Sequence, residues 1–594
     1  MQLALVDQLI VIGFLAASLL VGLAVARRAG RSSTEFFLSG RHMPWWLLGV
    51  SMVATTFSTD TPNLVTDIVR TNGVAGNWVW WAFLLTGMLT TFVYAKLWRR
   101  SGVETDIGFY ELRYSGKQAA FLRGFRALYL GVFFNVMIMA SVTLAAIKIG
   151  GVMLGLSPAT TVLIAGTVTV VYSMMGGLTG VIITDFLQFG VAMFGSVTAA
   201  WYALARPEVG GLAGLLSNPA VIPKLSILPD FSDHSLLWTI FIVPLAIQWW
   251  ATWYPGAEPG GGGYIAQRML AAKNESHAQG ATLLFNVAHY ALRPWPWILV
   301  ALASVVVFPD LESLRRAFPD IDPAVVQNDL AYPAMLTFLP AGLLGLVVAS
   351  LVAAYMSTIS THLNWGASYI VNDFYRRFLN PDADERQLVR VGRVSTAALM
   401  LVACLVSLLL SNALQAFQIL LQIGAGTGLL FILRWFWWRI NAVSEITAMS
   451  VSFVIAVYFQ LLHPRLTGAT LDPTVQLVAG VAITTTAWVG VALATTPTDE
   501  GTLRSFYRKI GPRGPGWAAV LRRAAADGVP LEATATGSGD LPIALACMSL
   551  ATLAVYSALF ATGYFLYGET GLASLLALVT VGATATILKL WRRL

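Results

Sequence analysis

Long apolar runs recur along the chain with short polar loops between them. A helix that crosses a bilayer needs about 20 mostly apolar residues. Runs of that kind are read at 3–26, 45–69, 75–98, 122–155, 158–175, 180–205, 236–257, 281–308, 331–366, 390–412, 413–440, 445–463, 473–495, 541–566 and 570–591. The pattern predicts an all-α polytopic membrane protein of about 15 spans. Two spans, five apart in order, are interrupted. The second breaks at Ser58-Thr59-Asp60-Thr61-Pro62-Asn63, the seventh at Trp253-Tyr254-Pro255-Gly256-Ala257-Glu258-Pro259 with Gly260 to Gly263 following. Unwound backbone at membrane depth is tolerated only where it is buried in protein or lines a cavity. Paired breaks in two halves of a chain point to an inverted-repeat transporter with its site at the breaks, the alternative for the second break being a cytoplasmic loop.

Composition narrows the class further. Hydrophobic residues make up 57% and charged residues 11% of 594 residues, against about a quarter charged in soluble domains. That excludes a soluble fold, a disordered chain, a disulfide scaffold and a nucleic-acid binder. Cys404 and Cys547 both lie in apolar runs and read as small buried hydrophobes. The first run carries Asp7 early and is followed by Arg27, Arg28 and Arg31, so it reads as a retained helix with its N-terminus outside. The net charge of +7 then has an explanation that needs no anionic partner. Arg99, Arg100, Arg113, Lys117, Arg123 and Arg126 crowd one loop; Arg376, Arg377, Arg386, Arg390 and Arg393 crowd another; Lys589, Arg592 and Arg593 close the tail. All fall on the cytoplasmic side of a chain so oriented, which also places the C-terminus there. The polar insertion 496–540 reads as a cytoplasmic connector with one amphipathic helix.

Few residues are left to carry chemistry. In the ninth span Ser357, Ser360 and Thr361 share a helical face, and Thr358 neighbours Thr361. Such hydroxyls, with carbonyls freed by a broken helix, suit a hard cation of low charge; they equally suit bonds to their own turn or to a neighbouring helix. Asp185, a few residues into the sixth span, is an ion ligand, a proton carrier or a first-turn acid at a helix N-terminus. Lys148 is expected to snorkel toward the outer interface. His289 and Arg293, four apart and just before Pro294, face either an anionic solute or backbone freed by the proline. No enzyme signature is present: the six His and two Cys lack metal-ligand spacing, and Gly260–Gly263 lacks the lysine of a phosphate loop.

Several segments together resemble the sodium/solute symporter family of sodium-coupled sugar, proline and sialic acid transporters. They are Glu35-Phe36-Phe37-Leu38-Ser39-Gly40-Arg41 with Trp45-Trp46, Gly176-Gly177-Leu178 through Thr184-Asp185 to Gln188, and Gln267-Arg268-Met269-Leu270-Ala271-Ala272-Lys273. Next come Ala353-Ala354 through Ser357-Thr358 to Asn364, Asp373-Phe374-Tyr375-Arg376-Arg377 with Gly392-Arg393, and Ala416-Phe417-Gln418 leading to Trp437-Trp438 and Asn441-Ala442. The resemblance implies the leucine-transporter (LeuT) fold: a 5+5 inverted repeat, one extra N-terminal helix and about four extra C-terminal helices. The divisions expected are 1–44, 45–205 and 206–440 for the extra helix and the two repeats, and 441–594 for the C-terminal helices with the insertion. It also implies a first sodium site of carbonyls from Ala54, Phe57 and Ala354 with hydroxyls of Ser357 and Thr358. A second sodium, as in some members, would lie among Asp185, Ser357, Ser360 and Thr361. The expected solute cavity draws on Thr56, Ser58, Asp60, Thr61, Trp250, Trp253, His289, Arg293, Phe417 and Gln422. The family's sixth core helix lacks the Pro255–Gly263 insertion, which leaves one wall of that cavity unaligned.

The function so implied is sodium-coupled import of a small polar organic solute by alternating access, across a plasma membrane. The expected partners are the solute, one or two sodium ions and lipid, with no nucleic acid and no obligate protein partner. Two rival readings share the scaffold: a proton-driven transporter using Asp185 or Asp60, and a sensor or channel.

Overall fold

The computed structural model describes residues 3–321, 323, 326–410, 420–512, 514–532 and 541–593. Among these, helices account for all regular structure apart from one isolated bridge between Met43 and Ala272. Among the described residues, twelve helices are long and apolar enough to cross a membrane. The fifteen expected spans reduce to these because the one starting at Trp45 is broken, 158–175 and 180–205 merge into Pro158–Leu204, and 413–440 includes undescribed residues.

Gly177 explains the merger. Its φ of 52° and ψ of −161° reverse the chain between two limbs. Tyr172 and Thr184 are twelve residues apart, about 18 Å along a straight helix, yet their hydroxyls lie 2.9 Å from each other. A Cβ at Gly177 would stand 2.8 Å from the Phe36 carbonyl, so glycine is required for both the turn and the close approach.

The first broken helix runs Trp45–Thr56, unwinds at Phe57, Ser58 and Thr59, and resumes as Asp60–Asn72. Pro62 lies in the first turn of the second half, where a missing N–H leaves no helical bond unmade. The second broken helix runs His234–Ala251 and resumes as Gly263–Ala271. Between the halves, Thr252 turns extended, and Gly256, Gly260, Gly261 and Gly263 take positive φ. Protein groups satisfy this irregular backbone: Gly426 N–H donates to Ala251 O at 2.8 Å, and the Trp98 indole donates to Gly260 O at 2.8 Å. The stretch is largely buried loop.

Segments far apart in sequence meet beside these breaks. Gln267 donates to Phe37 O at 3.0 Å and to Asn364 at 2.9 Å, and Asn364 donates to Phe36 O at 3.2 Å. Asp7 of the N-terminal helix Leu5–Ala29 accepts N–H bonds from Gly342 and Gly345, at 2.6 and 2.7 Å. It thereby caps the start of the Ser/Thr helix, Leu343–Ser368.

Three expectations are corrected. The span 331–366 is a short helix, Ala331–Leu336, and a separate one from Leu343, because Pro340 and Gly342 (φ 87°) break the run. The insertion holds two helices, Glu500–Ile510 and Ala518–Ala526, and is docked rather than a loose connector. Phe506 and Trp517 are buried, the Trp517 indole donates to Trp435 O at 2.9 Å, and Arg100 donates to Ile510 O at 2.8 Å. Lys148 does not snorkel: it is buried in an ion pair with Asp329 at 2.8 Å.

Candidate ion and solute site

The two breaks face one another across a central cavity of ≈ 140 Å³. Thr55, Thr56, Ser58, Asp60 and Thr61 come from the first break, and Tyr254 to Ala257 from the second. His289 and Arg293 close a third side, Thr358 and His362 a fourth, and Trp80 and Phe83 add aromatic faces. Six of the expected solute residues therefore line it: Thr56, Ser58, Asp60, Thr61, His289 and Arg293.

The others do not. Extended backbone at Thr252 sends successive side chains to opposite sides, so Tyr254 reaches the cavity while Trp253 packs edge-on against Phe134, 5.2 Å between centroids. Trp250 is only half-buried, with its indole bonded to Ala246 O of its own turn at 2.7 Å. Phe417 lies outside the described residues. Gln422 lines a second cavity of ≈ 230 Å³ with Asp67, Gln248 and Gln460. Leu64 and Trp80 line both cavities, so a single layer of side chains separates this vestibule from the central space.

The polar wall is wired together. Arg293 Nη2 and His289 Nε2 are 2.9 Å apart, and His289 Nδ1 is 2.9 Å from Thr56 Oγ1. Guanidinium only donates, so Nε2 accepts and Nδ1 carries the hydrogen given to Thr56. Arg293 also donates to His289 O at 3.2 Å and lies over the Trp297 ring, 5.2 Å from its centroid. The cavity thus offers a held cation and a neutral imidazole on one wall, Asp60 and hydroxyls on another, and aromatic faces between them.

The Ser/Thr helix passes directly behind the first break. Thr358 donates to Thr55 O at 2.8 Å and to Ala354 O at 3.1 Å, so its hydroxyl already bridges the two helices. Ala54 and Phe57, whose carbonyls belong to the expected first sodium set, are both buried at the break. Every group of that set is a neutral oxygen, which suits a monovalent hard cation.

Next to it lies a different arrangement around Asp185. Its carboxylate accepts from Ser51 Oγ at 2.5 Å and from Ser357 Oγ at 2.7 Å. Arg268, fully buried, holds a guanidinium nitrogen 3.9 Å from Asp185 and donates to Thr361 Oγ1 at 2.6 Å. Thr361 is in turn 3.0 Å from Thr55 Oγ1. Ser360 turns elsewhere, donating to Ser357 O and accepting from the Tyr172 hydroxyl. Of the expected second set, Ser357 and Thr361 come to Asp185 and its surroundings and Ser360 does not. Arg268 and Ser51 were missed as site residues. An arginine at membrane depth is a functional signal in itself, and Ser51 and Thr55 share a face at a spacing of four.

The profile of the sodium:solute symporter family matches residues 36–451. A sodium/glucose cotransporter of Vibrio parahaemolyticus is 27% identical over 482 residues, covering 77% of this chain and 86% of its own length. A sodium/mannose cotransporter of Bos taurus is 27% identical over 78% of this chain and 80% of its own length. A sodium/myo-inositol cotransporter of Mus musculus is 28% identical over 74% of this chain and 67% of its own. Among solved structures, a sodium-coupled sialic acid symporter in a substrate-bound outward-open state superposes with a TM-score of 0.67 at 20% identity, covering 84% of this chain and 99% of that one. That superposition shows the LeuT fold expected from the sequence.

Proposed function

Starting from a chain that belongs to the sodium:solute symporter family, and is therefore a sodium-coupled symporter, we propose that it imports a small polyhydroxylated solute held in the central cavity, one sodium ion accompanying each solute. The observation that carries this reading is the tie between Thr358 and Thr55 O, because both residues also line the cavity. The ion site and the solute site then share a wall.

Sodium is bound by the carbonyls of Ala54, Phe57 and Ala354 and the hydroxyls of Ser357 and Thr358. It draws the first broken helix onto the Ser/Thr helix and fixes the Thr55–Ser58 stretch that the solute contacts. Each ligand thereby raises affinity for the other, which is linkage between two sites. The Asp185 set holds no second ion in this arrangement. Arg268 already supplies the positive charge, and a second sodium placed on Thr361, which Arg268 contacts at 2.6 Å, would meet it at a few ångströms in a low-dielectric interior.

Hydroxyls of the solute meet Thr56, His289 and Arg293, and its apolar face rests on Trp80 and the tyrosines. The names of the sodium/glucose, sodium/mannose and sodium/myo-inositol relatives support this class. The end of the bundle rich in arginine is cytoplasmic by the positive-inside bias, so the ≈ 230 Å³ vestibule opens outward. The N-terminus is then outside and the C-terminus inside. Release inward follows the sodium gradient and the negative interior.

The test is uptake by proteoliposomes offered hexoses, cyclic polyols and sugar acids, with sodium replaced by potassium or choline. Sodium-dependent uptake of a hexose or polyol supports the reading. Uptake restricted to sugar acids would reassign the Arg293 wall to a carboxylate, and uptake indifferent to sodium would overturn the whole account.

A further inference from the structure

The Pro255–Gly263 loop carries one acid, Glu258, that neither the ion site nor the solute cavity uses. Glu258 is 3% exposed. Oε1 accepts the Gly256 N–H at 3.1 Å, while Oε2 is buried with no hydrogen-bond partner. The titratable groups facing it are Asp106 on the loop after the helix ending at Ser101, Tyr254 on its own loop, and Tyr264 on the helix that follows. None of them is a cation.

Asp106 approaches the same joint from the other side. It accepts the Gly263 N–H at 2.9 Å and a bond from the Tyr369 hydroxyl. A Cβ added at Gly263 would lie 2.6 Å from Glu258 Oε1, and one at Gly262 would lie 3.6 Å from Asp106 Oδ2. Two carboxyl groups thus clasp the Gly262–Gly263 joint at which the helix Gly263–Ala271 begins. Burial holds the Asp106 carboxyl above its usual range, with the Tyr369 and Gly263 bonds and the more distant Arg434 and Arg126 pulling the other way.

A buried carboxylate met only by neutral backbone donors, the N–H groups of Gly256 and of Glu258 itself, with one oxygen unpaired and a second acid beside it, is stabilised by taking up a proton. We propose that Glu258 is a proton-binding site of this symporter, occupied while the arginine-rich end is closed and vacated to cytoplasmic water when that end opens. The proton leaves the carboxyl oxygen for water and returns from the same side, so it gates the joint and does not drive transport. Ionised Glu258 repels Asp106 and loosens the joint; neutral Glu258 lets it close. Internal acidification therefore holds the cytoplasmic end shut. The inference rests on the alternating-access reading above.

Hydrogen exchange of residues 252–271 in the purified full-length protein, from about pH 5.5 to about pH 8.5, spans the range in which buried carboxyls titrate. This readout needs neither solute nor sodium. After correction for intrinsic exchange rates, protection is expected to fall several-fold with rising pH in the wild type, to stay high throughout in Glu258→Gln, and to titrate again in Glu258→Asp. In proteoliposomes under a fixed sodium gradient, uptake by the wild type should slow several-fold as internal pH is lowered, and the half-saturating sodium concentration of Glu258→Gln should match the wild type. Protection independent of pH in the wild type would overturn the proposal whether or not the variants fold. A large rise in half-saturating sodium in Glu258→Gln would overturn it too, by making Glu258 a cation ligand. Wild-type protein that shows the pH-dependent exchange but no sodium-driven uptake would instead sink the transport reading alone.

Discussion

Two oxygen clusters sit side by side on the Ser/Thr helix, and they differ in one respect. Around Thr358 every oxygen is neutral, and the hydroxyl spans to the first broken helix. Around Asp185 there is a buried carboxyl group, and the Arg268 guanidinium stands 3.9 Å from it. The residue types in the two clusters are nearly the same, so hydroxyl content alone does not mark an ion site. On the reading proposed above, what decides is whether a protein cation already fills the place. A neutral cluster can take up and release a monovalent ion; a cluster neutralised from within is built to stay as it is.

The comparison breaks most sharply at Arg268. Arg268→Ala leaves Asp185 buried and unpaired, so stability should fall by about 3–5 kcal/mol. Thermal unfolding checks this, and sodium should raise the melting temperature of the variant more than that of the wild type, since the vacated place now suits a cation. The double variant Asp185→Asn with Arg268→Gln removes both charges. It should be more stable than Arg268→Ala and keep the wild-type sodium dependence, as a double-mutant cycle would reveal. Thr358→Val tests the neutral cluster. Loss of a hydroxyl bound to a charged partner is worth about 1.5–3 kcal/mol, so half-saturating sodium should rise tenfold or more while the fold is kept. Arg293→Lys sharpens the division between ion and solute. A lysine cannot hold His289 and the solute in one planar fork, and KM for solute should rise about tenfold, about 1.4 kcal/mol, with half-saturating sodium changing less. The smallest effect belongs to the exposed pair of Arg315 with Glu312 at 3.7 Å. Arg315→Ala should stay within about 0.5 kcal/mol of wild type, which calibrates what a charge pair is worth away from the buried site.

Much of the architecture was legible in the sequence because membrane spans and their interruptions are local patterns. Pro62 and the Pro255–Gly263 run mark both breaks, and paired breaks imply a shared cavity. The Ser/Thr face could be read from helical spacing alone. What escaped depended on partners far along the chain or on the direction of single side chains. Lys148 looked like a snorkelling residue because its partner, Asp329, is 181 residues away. Trp253 was expected in the cavity and Tyr254 was not, because one extended residue at Thr252 decides which of the two faces inward. Arg268 was read as part of a family motif. Only the three-dimensional register of the helix after the second break turns it toward Asp185. The insertion hides its docking for the same reason: Phe506 and Trp517 are anchors only beside Arg113, whose guanidinium lies 5.4 and 5.1 Å from their ring centroids.

The central claim is that the neutral cluster alone carries the coupling ion. It is tested most directly by measuring sodium and solute fluxes together in the same proteoliposomes, for the wild type and for the Asp185→Asn, Arg268→Gln double variant. The account predicts about one sodium per solute in both, because linkage runs through a single ion site. A wild-type ratio near two that falls toward one in the double variant would contradict it, and would return Asp185 to the role of a second sodium ligand.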